Sequence, residues 1–253
     1  MIQQHYYYIA VNILCIGFPF LFSFQKWMPF YKNWKALVSG IIAMMALFIP
    51  WDMYFTANGV WGFNPKYISG TFLGNLPLEE WLFFICIPYA SIFTYECFHF
   101  FLPKLKLQTL TKYLSVFYML LAIFFLIKFT NHWYTFSTSL VALILLALHT
   151  FYWKSKFMNH FHISWIVLLI PFYISNGVLT GLDFWQYPLF NATPEIISDQ
   201  IVWYNNDHNL GFRIWSVPMD DFFYGMSMLL LAITVYEKIL KRPYPSLSAT
   251  SQA

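Results

Sequence analysis

Charge is scarce in this chain. Only 14 Lys and Arg and 11 Asp and Glu occur in 253 residues, 10% of the sequence against 59% hydrophobic, whereas a water-soluble domain carries about 25% charged residues. Too little polar side chain remains to coat a globule in water, so the class is integral membrane. Cysteine is equally sparse. Cys15, Cys86 and Cys97 form no C-x-x-C pair and sit in or near apolar runs, which leaves no disulfide framework or redox motif. The ten glycines include no G-x-G, so a Rossmann flavin or nicotinamide site is excluded. The seven histidines form no H-x-x-x-H or H-x-x-H-H cluster of the kind that holds iron or zinc, and neither a catalytic metal nor another cofactor is expected. Asp220-Asp221-Phe222-Phe223-Tyr224 begins like a magnesium-diphosphate D-D-x-x-D, but Tyr224 replaces the third acid. The last apolar run has no central lysine for a retinal Schiff base, and the scattered basic residues form no nucleic-acid patch.

What is abundant is aromatic: 29 Phe, 18 Tyr and 11 Trp, 23% of the chain, more than a bilayer span needs for apolarity alone. A membrane helix needs about 20 mostly apolar residues, and the hydropathy pattern predicts seven, over 5–24, 35–57, 77–101, 113–130, 133–153, 161–181 and 217–238. No A-x-A site follows the first, so it is expected to stay. Eleven of the 14 basic residues fall on one side, leaving Lys66, Lys128 and Arg213 on the other. That bias predicts an outside N-terminus and a cytoplasmic C-terminus, in the inner membrane of a prokaryotic cell. Nine of the 11 acids, Glu195 among them, gather at the outer side, and only Glu96 and Glu237 lie inside.

The chain also repeats. Leu76-Pro77-Leu78-Glu79-Glu80-Trp81-Leu82-Phe83 aligns without a gap on Val217-Pro218-Met219-Asp220-Asp221-Phe222-Phe223-Tyr224, and Glu96 and Glu237 keep the register. Ile49-Pro50-Trp51 and Ile170-Pro171-Phe172 match upstream, with a loop twenty residues longer in the second copy. The expected fold is all-α, with two parallel three-helix repeats, 1–110 and 133–242, joined by a linker span in 111–132 that restores direction. Residues 243–253 are expected to be a disordered tail.

Proline at the first helical position followed by two acids is a ready helix start. Ionisable groups at membrane depth, however, are costly and usually face a cavity, and two copies at matched depth favour function. Neighbouring helix positions differ by about 100°, so the acids of a pair cannot point the same way: one is expected to face the site and one to cap. Glu79, Glu80, Asp220 and Asp221 are the candidate site acids, and Asp52 approaches from the loop between the second and third spans. Every choice sets an aromatic beside a carboxyl, and Trp51, Trp61, Phe83, Phe84, Phe222, Phe223 and Tyr224 are the candidate substrate-binding aromatics. Phe63 approaches from the shorter loop, and Trp185, Trp203, Tyr204 and Trp215 from the longer one. A carboxylic acid in such apolar surroundings stays protonated, can protonate an alkene, and leaves a cation that ring faces hold without trapping it. A proton-coupled transporter is the alternative reading of intramembrane acids in parallel repeats.

The runs Pro50-Trp51-Asp52, Gly59-Val60-Trp61-Gly62-Phe63-Asn64-Pro65-Lys66-Tyr67 and Leu76-Pro77-Leu78-Glu79-Glu80-Trp81-Leu82-Phe83-Phe84 resemble the first subunit of the heterodimer-type lycopene cyclases. Asn176-Gly177-Val178-Leu179-Thr180-Gly181, Ile201-Val202-Trp203-Tyr204 and Pro218-Met219-Asp220-Asp221-Phe222-Phe223-Tyr224 resemble the second, and the chain is similar to the fused form over about residues 5–240. Other lycopene cyclases, of a soluble-type fold, carry the flavin fingerprint absent here. The resemblance implies lycopene as substrate, membrane lipid and other carotenoid enzymes as partners, and proton-initiated closure of β-ionone rings without net redox change. The halves are not equivalent, since the second has Asp-Asp for Glu-Glu and Tyr173 opposite Asp52. The resemblance implies Glu79, Glu80, Asp220 and Asp221 as the acid/base candidates, with Asp52 a weaker one, and the halves could serve one composite pocket in which one acid donates and another accepts the proton.

Overall fold

The computed structural model describes residues 3–192 and 197–244. Its frame is seven helices long and apolar enough to cross a membrane: α1 Tyr7–Phe22, α2 Trp34–Ala57, α3 Leu78–Phe101, α4 Gln108–Lys128, α5 Trp133–Ala147, α6 Met158–Thr180 and α7 Asp221–Leu240. A π-helical turn, Leu148–Tyr152, extends α5. The fold is an all-α multi-pass membrane protein. Its polarity is inverted relative to a soluble bundle: α1 exposes Ile13, Leu14 and Phe18 and buries Asn12, because lipid solvates the apolar face and only the interior offers hydrogen-bond partners. Helix α7 is the axis of the bundle, packed on α2, α5 and α3. Against α2 it comes so close that a Cβ on Gly40 would lie 2.6 Å from the Ala232 carbonyl oxygen, a small-residue contact of the kind that joins membrane helices.

Two span boundaries differ from the apolar runs by four residues or more. Helix α4 begins at Gln108, five residues early, because its first turn is polar; α7 begins at Asp221, four residues late, because Val217-Pro218 is strand. The prolines before the acid pairs accordingly lie ahead of the first helical turn, Pro77 as N-cap and Pro218 in a strand.

Short strands, which the hydropathy pattern did not predict, cap the acidic end: β1 Trp61–Phe63, β2 Phe72–Leu73, β3 Leu76–Pro77, β4 Phe190–Asn191, β5 Val202–Tyr204, β6 Arg213–Ile214 and β7 Val217–Pro218. The starts of β1 and β5, β2 and β6, and β3 and β7 each differ by 141, so the repeat extends through the loop. Asn64 and Asn205 each accept the backbone N–H two residues on, at 3.0 Å in both copies. Strands β1 and β5 pair antiparallel with Gly62 opposite Trp203, its own equivalent 141 residues on. Outside them Asn64 N–H donates to the Ile201 carbonyl and Asn205 N–H to the Val60 carbonyl, both at 2.9 Å, so one operation exchanges the two bonds. The repeats are therefore related by a local pseudo-twofold axis between Gly62 and Trp203. Trp203 lies over Gly62 so closely that a Cβ there would meet its ring at 2.4 Å.

The expected tail falls mostly on residues 245–253, and Glu195 on 193–196, both outside the described residues. Tyr244, assigned from the sequence to that tail, instead donates to Glu237 at 2.7 Å.

Candidate active site

Each hairpin delivers an acid pair to the first turn of α3 or α7, and the two members of a pair part company. Glu79 Oε1 accepts the Ser69 N–H at 2.6 Å and Asp220 Oδ2 the Leu210 N–H at 3.2 Å. Residues 69 and 210 are equivalent, so both carboxyls pin the same loop to the same helix start. Thr135 also donates to Asp220 Oδ1 at 2.5 Å. Burial pushes the Asp220 carboxyl up to about 6.

The other members, Glu80 and Asp221, turn inward by about 100°. Tyr8, at the start of α1, donates to Glu80 Oε2 at 2.5 Å; Tyr134, at the matching position of α5, donates to Asp221 Oδ1 at 2.5 Å. Tyr204 adds a longer bond to Asp221 Oδ2, 3.3 Å. Asp52, near the end of α2, accepts the Trp61 indole N–H at 2.5 Å, and its second oxygen has no partner among the described residues.

Glu80, Asp221 and Asp52 all line one cavity of about 210 Å³ between α1, α3, α6 and α7. Along α3 it runs from Glu80 to Thr94, about 21 Å at 1.5 Å per residue, and Pro171 at its wall is exposed. Its acidic end is walled by rings: Trp61 lies 5.0 Å from Tyr134, 5.9 Å from Tyr204 and 6.1 Å from Tyr224, mostly edge to face. Phe83, Phe63, Trp165 and Phe172 continue the wall. Beyond the carboxyls and tyrosines the lining is mainly apolar, with Ser91, Thr94, Ser175, Asn176 and Thr180 as its other polar side chains. Among the described residues no group of three or more His, Cys, Asp or Glu is placed to hold a metal.

Of the aromatics named from the sequence, Trp61, Phe83 and Tyr224 line the cavity and four do not. Phe84 is in the core; Phe222 packs on Tyr118 and Trp165, both at 5.4 Å, and Phe223 on Phe125 at 6.0 Å; Trp51 stands behind Tyr224 at 5.4 Å. The helical period explains the two on α7. Phe222 and Phe223 are turned about 100° and 200° from Asp221, whereas Tyr224 and Gly225 return to its face. Of the longer loop's aromatics named above only Tyr204 reaches the cavity; Trp185 is exposed and Trp215 packs on Phe184.

Sequence reasoning missed Tyr8, Tyr134 and Trp165. The two tyrosines had a signal: each is the second residue of its helix, so extending the repeat to the first span of each copy pairs them. Trp165 had none.

The arrangement suits protonic chemistry on an apolar ligand: carboxyls shielded from water, hydrogen-bonded to phenols and an indole, beside ring faces that attract positive charge. No curated protein and no solved structure matches the chain. A family model described as lycopene cyclase matches residues 5–98 and 131–239, two segments that leave out α4. Both halves of the carboxyl-lined cavity lie within that match, and the chain belongs to the lycopene cyclase family.

Proposed function

We propose that this chain is a lycopene β-cyclase, an isomerase that closes β-ionone rings on lycopene with no net redox change. The observation that carries this reading is the convergence of Asp52, Glu80 and Asp221, from three different helices, on one elongated aromatic-walled cavity. A carboxylic O–H at its acidic end protonates the terminal alkene of the linear end group. The π electrons of an internal alkene then fill the tertiary cation and form the ring bond. A carboxylate removes a proton adjacent to the new cation centre, and the C–H pair becomes the ring alkene. Trp61, Tyr134, Tyr204 and Tyr224 hold the positive charge in transit. Glu80, Asp221 and Asp52 are the acid/base groups on this reading, while Glu79 and Asp220 hold the loops that aim them.

Expression in bacteria that accumulate lycopene, with chromatography of the pigments, tests the activity. β-Carotene is the expected product. Unchanged lycopene, with the protein located in the membrane, overturns the proposal. In D2O each ring should acquire one deuterium at the carbon protonated first.

The membrane placement that goes with this reading is the inner membrane of a prokaryotic cell, with the acidic end outside and the C-terminal end cytoplasmic; the split of basic residues supports the orientation. In intact cells an impermeant thiol reagent should reach a cysteine at position 66 and spare one at position 112.

A further inference from the structure

The two halves carry different charge at one matched position of their hairpins. Position 213 of the second repeat corresponds to position 72 of the first, which is an exposed phenylalanine, Phe72. Arg213 is only 2% exposed. Its guanidinium donates to the Ser216 carbonyl at 2.7 Å and to Asn206 Oδ1 at 2.9 Å, and it lies over the Tyr204 ring at 5.9 Å. No carboxylate bonds it directly, and its Nε has no partner among the described residues. Tyr204 in turn donates to Asp221. The ionisable groups facing Asp221 are Glu80, Tyr134, Tyr173, Tyr204, Tyr224, Asp220 and Arg213, and only Arg213 is a cation. The first half is the reverse. Glu80 faces Tyr8, Asp52, Tyr204, Tyr224 and Asp221, with no cation among them.

The cavity thus gathers three carboxyls and borders on one guanidinium. An unbalanced charge in apolar surroundings costs several kcal/mol, and carboxyls that share a site do not all ionise. One buried cation therefore balances one carboxylate, and an Arg keeps its charge when buried. Asp220, also near Arg213, is held outside the cavity wall by Thr135 and the Leu210 N–H, so among the carboxyls that line the cavity Asp221 is the one beside the guanidinium.

Resting on the cyclase reading above, we infer that Arg213 is a positioning residue that keeps Asp221 as the proton-accepting carboxylate and leaves Glu80, beside Asp52, as the proton donor. In each ring closure Glu80 gives its proton to the terminal alkene, forming a C–H bond, and Asp221 takes the proton released when the ring alkene forms. The substrate gains one proton and loses one. Asp221 then releases its proton to solvent and Glu80 takes one up from solvent, which resets the site, and no oxidant or reductant enters.

Infrared spectra of the full chain at neutral pH read the two carboxyls without turnover. Glu80→Gln should remove a protonated-carboxyl C=O band. Asp221→Asn should remove carboxylate intensity instead, and Arg213→Gln should add a C=O band that Arg213→Lys does not. A protonated band lost in Asp221→Asn, or no change in either Glu80→Gln or Arg213→Gln, overturns the assignment. The first two variants are isosteric and keep the test open if Arg213→Gln fails to insert. In membranes where the wild type forms rings, Arg213→Gln should move the acid limb of the rate profile up by about one pH unit or more, recovering activity at high pH, while Arg213→Lys keeps the wild-type profile. A uniform loss with an unmoved limb makes Arg213 merely structural. A wild type that forms no rings at all sinks the cyclase reading and leaves the infrared result to stand separately.

Discussion

The first repeat fastens its loop with Glu79 on the Ser69 amide and aims Glu80 at Tyr8; the second uses Asp220 on the Leu210 amide and aims Asp221 at Tyr134. Strand order, turns and asparagine caps agree to the residue. What differs is the chemistry laid on that shared frame. Asp52 has Tyr173 as its counterpart, Phe72 has Arg213, and the second loop adds β4 to its hairpin. Backbone-binding acids were kept in both copies because the loop needs them, whereas the cavity-facing surroundings were free to diverge into two unlike ends of one site.

If the halves are unlike partners, neither replaces the other. Glu80→Gln and Asp221→Asn should each lower cyclisation by about 100-fold or more, the scale of a general acid or base, with insertion unchanged on membrane immunoblots. Activity near wild type in either would reduce that residue to a helix cap. The next effect is on the frame itself: Gly62→Ala drives a methyl into Trp203 and should cost about 1–3 kcal/mol, read as a lower melting temperature of the detergent-purified protein. Tyr134→Phe and Tyr8→Phe each delete one hydroxyl bond to a cavity carboxyl, worth about 1–3 kcal/mol when the acceptor is charged and less when it is neutral. The Tyr134 variant should therefore lose more rate than the Tyr8 variant, and the reverse order would exchange the roles of the two halves. The smallest effect is expected at Asp220. With its carboxyl raised by burial from the model-compound 3.8 to about 6, the fold binds the proton more tightly than the unfolded chain does. Stability from this group is full at low pH and is lost as pH rises through about 6. Asp220→Asn should flatten that decline in a thermal melt from pH 4 to 7 while leaving ring formation near wild type.

The seven spans and the matched acid pairs were legible in the sequence because each depends on composition or on spacing along the chain. The division of labour within a pair was legible only in outline. Two neighbouring acids must diverge by about 100°, but which one meets the cavity depends on how α3 and α7 are rotated against their neighbours. The misassigned rings have the same origin. Helix α7 is apolar on every side, so Phe222 in the core and Tyr224 on the cavity look alike in one dimension, and a lipid-facing residue is as greasy as a buried one. The strands stayed hidden because two- or three-residue pieces carry too short a pattern to register. Arg213 was counted as a topology signal, and only its burial beside Tyr204 distinguishes it from Lys66, which sits exposed in an ion pair with Asp199.

The pairing of Gly62 with Trp203 has a further effect on which halves can meet. A residue on a twofold axis would face its own copy in a homotypic dimer. Two copies of the second half would drive two indoles into the same space, and two copies of the first would leave a void where one belongs. Glycine against tryptophan fits only when the halves are different, so the same contact that joins the repeats also discourages self-association of either one.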